Sequence, residues 1–401
     1  MRLSRVAPNR RCFLRFLAGS PLFGQALAQT SAPQISSAKD ALNVMEFEEL
    51  AHLKLPPAHW GYMSSGVDDD ATLKANMAGF KRIELRPRRL IDVSKVDMRT
   101  ELLGTVWESP IFVCPVGGHK MFHPEGELAT ARAARAKNTL QILSTQTSTA
   151  VEDVAQALGH PPWYQLYMPQ RWEDAEKLVR RVEAAGCPVL AWTIDGLAGR
   201  NLENAAKLAR NDTRNCSTCH AISPEGAALR SPASAPMFKG LSSNAINPPL
   251  ATWEMVDRLK KLTTMKLVLK GIETREDARM CREHGVDGIL VSNHGGRASE
   301  DLRPTIESLR EVIEGAGNQI PVMVDGGFRR GSDVYKALAL GARAVGVGRP
   351  YVWGLTAFGQ EGVERVLDIL RTELQRTMRQ CGTPSIAQIT RASIGVGGTR
   401  F

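Results

Sequence analysis

Eight short apolar segments, each followed by a stretch of helical or turn-forming residues, recur between residues 111 and 348. Each segment is continuously hydrophobic, which is typical of a parallel strand buried on both faces. Eight strand–helix units over roughly 270 residues predict a TIM (β/α)8 barrel, an α/β fold. An open doubly wound sheet is the alternative, but no G-x-G-x-x-G follows the first segment. The predicted strands are Ile111–Pro115, Leu140–Ser144, Trp163–Tyr167, Val189–Asp195, Lys266–Lys270, Gly288–Ser292, Val322–Asp325 and Ala344–Gly348.

Two further segments frame this barrel, which we expect to span residues 41–401. Residues 41–100 are predicted to form an N-terminal helical segment that leads into it. The connection after the fourth strand is far longer than the ~15 residues of ordinary loops. We therefore predict an insertion at residues 204–250, on the face of the barrel that holds active sites.

Composition excludes several classes of protein. Hydrophobic residues are 43 % and charged residues 23 % of the chain, as in ordinary globular proteins. A disordered chain and a multi-span membrane protein are excluded, and no window reaches transmembrane length. The formal net charge is +9. We predict no nucleic-acid role, because no basic patch with interleaved aromatic residues occurs.

Five of the nine excess positive charges belong to residues 1–28, which contain arginines and no acid. The run from Asn9 to Arg15 resembles a twin-arginine export signal, and Ala26–Ala28 resembles an A-x-A cleavage site. These features predict a signal peptide and a periplasmic protein that is exported with its cofactor bound. The alternative is a disordered basic tail.

Glycine-rich turns follow the last two predicted strands. Gly326, Gly327 and Gly348 would let backbone N–H groups approach an anion, and Arg329 and Arg349 add positive charge. A phosphate site after strands seven and eight is common in barrels. The alternative is two tight turns with solvated arginines.

A second group of polar residues follows strands four to six. Lys270 ends an apolar strand, and a buried lysine needs an anionic partner or a lowered pKa. His294 and Arg297 share a glycine-flanked turn, where one could take a proton and the other could bind a carboxylate. Asp195 could orient His294. The alternatives are a rim lysine, a structural histidine and a helix-capping aspartate.

At these residues the sequence resembles the FMN-dependent 2-hydroxy acid dehydrogenase/oxidase family, which includes glycolate oxidase, lactate oxidase, mandelate dehydrogenase and flavocytochrome lactate dehydrogenase. The matching motifs are His123–Glu127, Gln165–Tyr167, Leu269–Gly271, Ser292–Arg297, Asp325–Gly331, Lys336–Ala342 and Gly348–Pro350.

The resemblance implies a barrel that binds FMN and oxidises an L-2-hydroxy acid to a 2-oxo acid. It implies that His294 is the base with Asp195 as its partner, that Tyr167 lies near the substrate hydroxyl, and that Tyr62 and Arg297 hold the substrate carboxylate. It also implies a set of FMN contacts: Pro115, Val116, Gly117, Ser144, Gln165, Thr193, Lys270, Ser292, Asp325, Gly326, Gly327, Arg329, Gly348 and Arg349.

Three features of the sequence depart from the family pattern. Arg200 stands one residue closer to Asp195 than the second substrate arginine usually does. Gln146 replaces a tryptophan that is common in the oxidases, and Ala298–Glu300 replaces the usual Gln-Leu-Asp. These changes affect the expected substrate side chain rather than the chemistry.

The predicted insertion contains Cys216, Cys219 and His220 in a C-x-x-C-H pattern, which is typical of c-type haem attachment. Met237 could then be the second axial ligand. A Cys216–Cys219 disulfide, or a metal site that lacks a fourth ligand, are the alternatives.

The predicted function is a periplasmic, FMN-dependent L-2-hydroxy acid dehydrogenase that passes electrons to a cytochrome or quinone. A hydrogen-peroxide-producing oxidase is the first alternative, and a non-catalytic flavin-binding protein is the second. We also expect a homo-oligomer.

Overall fold

The computed structural model describes residues 35–197, 199–210, 212–214, 221–222, 228–229, 235–243, 245–248 and 251–396. The strands are β1 Ile83–Leu85, β2 Thr100–Leu102, β3 Thr105–Trp107, β4 Ile111–Val113, β5 Ile142–Ser144, β6 Trp163–Leu166, β7 Val189–Thr193, β8 Ala221–Ile222, β9 Ala228–Leu229, β10 Lys266–Lys270, β11 Gly288–Val291, β12 Val322–Asp325, β13 Ala344–Val347 and β14 Ile394–Val396.

The α-helices are α1 Met45–Lys54, α2 Pro57–Ser64, α3 Ala71–Gly79, α4 Gly126–Ala136, α5 Val151–Leu158, α6 Trp172–Ala184, α7 Glu203–Ala209, α8 Trp253–Leu262, α9 Arg275–Glu283, α10 Thr305–Ala316, α11 Gly331–Leu340 and α12 Arg349–Cys381. Within these described residues, no helix is long and apolar enough to cross a membrane.

The predicted TIM barrel is confirmed. Eight strands pair in parallel in the order β4-β13-β12-β11-β10-β7-β6-β5. A further parallel bridge between Val113 and Gln141 joins β4 to the chain just before β5, so the sheet closes on itself. All eight predicted strand segments contain these strands, because continuous burial on both faces produces a local signal that is visible in the sequence.

The barrel interior consists of an apolar layer and, two residues further along each strand, a polar layer. The apolar layer is formed by Phe112, Ile142, Trp163, Ala191, Val268, Leu290, Met323 and Ala344, which belong to one buried cluster. Side chains two residues apart on a strand point to the same face. The next inward positions are therefore Cys114, Ser144, Gln165, Thr193, Lys270, Ser292, Asp325 and Gly346. Most of the predicted cofactor-binding side chains on the strands lie in this second layer.

The hairpin of β2 and β3 covers the opposite end of the barrel. Leu102 and Trp107 pack into the apolar cluster, and the Thr100 hydroxyl donates to the carbonyl of Arg343, just before β13. This end is therefore filled by apolar side chains, which leaves the other end for the polar site.

The prediction of a helical segment over residues 41–100 is only partly correct. Helices α1 to α3 lie between residues 45 and 79, whereas β1 pairs antiparallel with β14 near the other end of the chain. The local sequence pattern does not show a pairing partner some 300 residues away, so β1 could not be predicted from it.

The predicted insertion begins inside α7, which packs against α2. A Cβ placed on Gly61 of α2 would lie 3.0 Å from the Cβ of Leu208 and 3.2 Å from the carbonyl of Ala205. Glycine at this position therefore allows close contact between the two helices. As a result, the chain after β7 supports the helix that contains Tyr62.

Candidate active site

A cavity of about 230 Å³ opens at the carboxyl ends of the barrel strands, where the fold predicts the active site. Its wall contains most of the predicted site residues, namely Tyr62, Pro115, Val116, Gly117, Ser144, Tyr167, Arg200, Lys270, His294, Arg297, Asp325, Gly326, Gly327, Arg329, Gly348 and Arg349.

The turn after β11 presents His294 to this cavity. His294 has a φ of +58°, in the left-handed region that non-glycine residues rarely adopt. Gly296 follows with a φ of +77°, and a Cβ there would lie 2.5 Å from the backbone of Leu73 in α3. The strained conformation is thus maintained by close packing of the turn against α3.

Two polar contacts attach the same turn to α3. The side-chain amides of Asn76 and Asn293 hydrogen-bond to each other reciprocally, at 2.8 and 3.0 Å. The Glu300 carboxylate accepts from the backbone N–H groups of Ala71 and Thr72, at the start of α3. An anion at a helix N-terminus is favourable. Glu300, one of the departures from the family pattern, therefore holds the turn that contains His294 against α3.

His294 lies between Asp195 and Tyr167. Its Nδ1 is 2.7 Å from Asp195 Oδ1, and its Nε2 is 3.0 Å from the Tyr167 hydroxyl. An ionised carboxylate only accepts hydrogen bonds, so Nδ1 carries the proton of the neutral ring. Nε2 is then unprotonated, and its lone pair accepts the hydroxyl hydrogen of Tyr167. This tautomer is the one that a general base needs.

Electrostatics keep His294 neutral and Asp195 ionised. Burial lowers the pKa of His294 to about 3, and the nearby cations Arg200 and Lys270 act in the same direction, while Asp195 opposes them. Burial alone would raise the pKa of Asp195, but His294, Lys270 and Arg200 together hold it below its ordinary value. Burial also raises the pKa of Tyr167, which keeps its hydroxyl protonated.

Arg200 enters this group despite its shifted position in the sequence. Its Nη2 lies 3.1 Å from Asp195 Oδ1 and 3.1 Å from His294 Nδ1. A Cβ on Gly196 would come within 2.7 Å of the same nitrogen, so the small residue makes room for the guanidinium.

Arg297 lies beside Tyr62 in the cavity wall. Its guanidinium carbon is 4.8 Å from the centre of the Tyr62 ring, and its Nη1 donates to the carbonyls of Tyr62 and Ser65 at 2.5 and 2.9 Å. Among the described residues these two bonds use only part of its five N–H donors, so the others are available to a carboxylate.

Lys270 occupies the centre of the polar layer. Its Nζ donates to Ser292 Oγ at 2.7 Å, and Ser292 donates in turn to Asp325 Oδ1 at 2.7 Å. Asp195 Oδ2 and Asp325 Oδ2 each lie 3.7 Å from Nζ. Burial alone would lower the pKa of Lys270, but these two carboxylates outweigh burial and raise it. The lysine is therefore a buried cation, which excludes the rim-lysine alternative.

Gln165, Thr193, Ser292 and Asp195 lie behind the cavity wall rather than in it. Gln165 accepts from Ser144 Oγ at 3.0 Å and donates to Thr193 Oγ1 at 2.9 Å. Ser292 and Asp195 hold Lys270 and His294 as described above. The structure therefore places these four as supports for residues that line the cavity.

The far end of the cavity contains two arginines that have no carboxylate partner within 4.0 Å among the described residues. Arg349 donates to the carbonyls of Met63, Ser65 and Gly295 at 2.8 to 2.9 Å. Arg329 lies 4.7 Å over the ring of Trp353. Burial lowers the pKa of Arg329 to about 10 and that of Arg349 to about 9.

These residues fit an anionic group such as the FMN phosphate. Arg329 Nε is buried and has no hydrogen-bond partner in the described part of the chain. A Cβ on Gly348 would meet nothing closer than Cys114 Cβ at 4.0 Å, so a ligand can approach the backbone there. Helices α11 and α12 also begin beside this end, and helix N-termini favour anions.

Several residues of the cavity wall were not predicted as site residues from the sequence. They are Met63, Cys114, Phe122, Gly295, Leu202, Phe328, Gly346, Val347 and Val352. Cys114 and Gly346 could have been found, because each lies two residues beyond an apolar inward position. The others depend on tertiary packing.

The predicted haem residues Cys216, Cys219 and His220 lie outside the described residues, as does the predicted signal peptide. Met237 is described, and its side chain is buried in a short 3-10 helix, Pro236–Phe238.

Comparisons with known proteins agree with this geometry. The sequence model of the FMN-dependent dehydrogenase family matches residues 51–396. A peroxisomal (S)-2-hydroxy-acid oxidase of Oryza sativa subsp. japonica is 42 % identical over 376 residues, which cover 90 % of this chain and 97 % of that protein. Glycolate oxidase 1 of Zea mays is 42 % identical and covers 88 % and 95 % of the two chains. A crystal structure of mandelate oxidase with (S)-2-phenylpropionate has a TM-score of 0.78 at 36 % identity, with 88 % of this chain and 98 % of that chain covered.

The prediction of a periplasmic protein is wrong, since similar proteins are named as peroxisomal oxidases, including the Oryza enzyme and one of Arabidopsis thaliana. The prediction relied on arginines without acids and on small residues near position 28. Several kinds of targeting segment share this composition, so it does not specify a compartment.

The family match covers most of the chain. This match and the level of identity to the relatives agree with the sequence motifs and with the barrel fold. The chain belongs to the FMN-dependent dehydrogenase family, as its resemblance to the 2-hydroxy acid dehydrogenases and oxidases predicted, and it is an FMN-dependent oxidoreductase.

Proposed function

We propose that this protein is an L-2-hydroxy acid oxidase that converts its substrate to the 2-oxo acid and reduces dioxygen to hydrogen peroxide. The observation that supports it most strongly is the arrangement of His294, whose unprotonated Nε2 lies beside the Tyr167 hydroxyl in a cavity that also contains Arg297 and Lys270.

The substrate carboxylate would bind to Arg297, with Tyr62 beside it. Arg297 keeps unused N–H donors after its bonds to two carbonyls, and an arginine can hold a carboxylate by two parallel bonds. Arg200 adds positive charge close to His294. The substrate would thereby be held with its reacting carbon near the base.

His294 would take one proton from the substrate through Nε2, as a general base. Asp195 fixes the tautomer and stabilises the charged ring that results. Tyr167, whose hydroxyl is 3.0 Å from Nε2, would hydrogen-bond to the substrate hydroxyl.

FMN would lie across the carboxyl ends of the strands, with its phosphate near Arg329, Arg349, Gly327 and Gly348. When bound, FMN supplies the acceptor for the electron pair and for the second proton. Lys270 would place a positive charge beside the part of the ring that becomes negative. The backbone of Pro115, Val116 and Gly117, in the cavity wall after β4, would face the ring.

The wall beside Tyr167 would receive the substrate side chain. Val116, Phe122 and Leu202 make part of this wall apolar, and Gln146 adds a polar group. A wall of this composition favours an apolar side chain over none, so we expect L-lactate or L-mandelate to be better substrates than glycolate.

Dioxygen is the proposed acceptor because the curated relatives are named as oxidases. Transfer to a cytochrome or quinone, the acceptor predicted from the sequence, depended on export to the periplasm and loses its support with that correction. Nothing in the comparisons supports a c-type haem at Cys216, Cys219 and His220. The homo-oligomer stays a prediction.

The experiment is to mix the purified flavoprotein with glycolate, L-lactate or L-mandelate without oxygen and follow the visible flavin band. Bleaching with at least one L-acid, and none with its D-enantiomer, supports 2-hydroxy acid oxidation. If none of the three acids bleaches the flavin, a non-catalytic flavin-binding protein becomes the better description.

A second step identifies the acceptor. Admitting air to the bleached protein should restore the flavin band within seconds and release one hydrogen peroxide per flavin. Slow recovery in air, with rapid recovery on adding a cytochrome or a quinone, would contradict the oxidase. The same spectra would show a haem band if the chain carries one.

A further inference from the structure

Four charged side chains form a buried cluster beneath His294. Asp195 and Asp325 are the acids, and Lys270 and Arg200 are the cations. The side chains of Lys270, Asp195 and Asp325 are all less than 10 % exposed. While His294 is neutral, the two positive charges balance the two negative ones.

Lys270 is shared between the two acids without being hydrogen-bonded to either. The only hydrogen bond from its ammonium group to a described residue goes to Ser292 Oγ, although this group has three donors. Each carboxylate lies 3.7 Å from Nζ, beyond hydrogen-bond distance. Asp195 Oδ2 is buried and has no hydrogen-bond partner among the described residues. Burying a carboxylate oxygen without a hydrogen bond costs free energy, so the missing partner of Asp195 Oδ2 needs an explanation.

We propose that Lys270 is an electrostatic link between the Asp195–His294 pair and the flavin. While His294 is neutral, the positive charge of Lys270 balances the negative charge of Asp195. Once His294 is protonated, His294 balances Asp195 instead, and the charge of Lys270 stabilises negative charge in the cavity. Asp195 is the shared partner, because one of its oxygens contacts His294 and the other faces Lys270.

The charge balance of the reaction gives the reason. Oxidation of a 2-hydroxy acid to the 2-oxo acid releases two electrons and two protons. One proton goes to His294, and the electron pair goes with the second proton to FMN, which leaves a negative charge there. Protonated His294 neutralises Asp195, so the cluster then has an excess positive charge, located on Lys270. The inference rests on the proposed roles of His294 and Lys270.

In the described part of the chain, the strongest charged and titratable neighbours of His294 and Lys270 are as follows. Asp195, Arg200, Tyr167 and Lys270 face His294. Asp325, Asp195, Tyr167 and Cys114 face Lys270. Asp195 and Tyr167 therefore face both partners, and of these two Asp195 is the one that is ionised.

The first test measures the pKa of His294 by NMR, in the full chain with and without FMN. Lys270→Met should raise this pKa by about one unit or more, because a nearby cation that opposed protonation is gone. Lys270→Arg should return it towards the wild-type value. Lys336→Met is the matched control, since it removes another partly buried lysine, which donates to the carbonyl of Phe80. An unchanged pKa in Lys270→Met would overturn the proposal.

The second test is a double-mutant cycle on the midpoint potential of bound FMN. Asp195→Asn should raise the potential in the wild-type background, because Lys270 is then unopposed. We expect about a tenfold gain for reduced over oxidised FMN, or ~30 mV for a two-electron couple. In the Lys270→Met background the same substitution should have little effect.

Additive shifts in the cycle would mean that Asp195 acts on the flavin directly, and the link would be refuted. This result is separate from failure of the proposed function, which would appear as absence of bleaching in the wild-type protein. Should Lys270→Met fail to retain FMN, the pKa of His294 in the flavin-free chain still decides the question.

Discussion

The two ends of the cavity hold their positive charges in opposite ways. At the end that contains His294, Arg200 and Lys270 lie within 4 Å of carboxylates. At the other end, Arg329 and Arg349 donate to backbone carbonyls and have no such acid within 4.0 Å in the described ranges. The protein itself therefore balances Arg200 and Lys270, whereas Arg329 and Arg349, like Arg297, leave positive charge for anionic ligands to balance.

This difference separates two tasks. A base needs a fixed tautomer and a stable neutral form, and a network of internal partners provides both. An anion site needs unused donors and uncompensated charge, so internal acids would compete with the ligand. The two ends should therefore respond differently to substitution: one in rate, the other in FMN affinity.

The largest expected effect is on rate. His294→Gln removes the base but keeps a polar side chain of similar reach, and should lower the rate of anaerobic flavin reduction by about 10²- to 10⁴-fold. FMN affinity should stay within a few-fold of wild type, because the phosphate end is untouched. A variant that reduces its flavin at nearly the wild-type rate would show that His294 is not the base.

The next effect is on FMN affinity. Arg329→Met should weaken FMN binding by about 10- to 100-fold, the value of a charge-assisted hydrogen bond in a buried site. Fluorescence titration of the flavin-free protein measures it. Arg330→Met is the matched control, because Arg330 is half-exposed and pairs with Glu373 instead.

Titration with riboflavin, which lacks the phosphate, sharpens the result. Arg329→Met should bind riboflavin about as well as the wild type does. An equal loss for both ligands would place Arg329 outside the phosphate site.

A smaller effect is expected from Tyr167→Phe, which removes the hydroxyl that lies 3.0 Å from His294 Nε2. One hydrogen bond to the reacting groups should cost about tenfold in kcat/KM, with FMN affinity unchanged. Steady-state kinetics on the best substrate measure it. A loss of FMN affinity without a change in kcat/KM would assign Tyr167 to the cofactor.

The smallest effect concerns acid stability. The pKa of His294 is lowered to about 3 in the folded protein and is ordinary, near 6.5, in the unfolded chain. Below pH 6.5 the unfolded chain therefore binds a proton that the folded chain does not, and stability falls as the pH falls towards 3. Asp195, whose pKa is also lowered, adds to the loss below about pH 4.

Melting curves of the flavin-free protein at pH 7 and pH 5 test this sign. Between these two pH values, the melting temperature of His294→Gln should fall by about 2 °C less than that of the wild type. A greater loss in the variant would mean that His294 is protonated in the folded protein.

The polar layer shows how far the sequence alone could predict the site. Residues such as Lys270, His294 and Asp325 follow continuous apolar strands, so the local pattern was enough to predict their place at the mouth of the barrel. The motifs then assigned FMN, which the family match confirms. Their individual roles stay predictions.

Contacts between distant segments could not be predicted in this way. Asn76 and Glu300 join α3 to the turn that contains His294, yet neither contact could be predicted, because the partners lie over 200 residues away. Arg200 was an uncertain candidate from its spacing, and only packing against Gly196 and Asp195 shows where its guanidinium lies.

The sequence by itself determined the barrel, the end of it that holds the chemistry and the family, because burial on both faces and short motifs are local properties of the chain. The tertiary structure decided the protonation state of His294, the sharing of Lys270 between two carboxylates and the contrast between the two ends of the cavity. Those properties depend on burial and on charge separations of a few ångströms between strands, which no stretch of sequence contains.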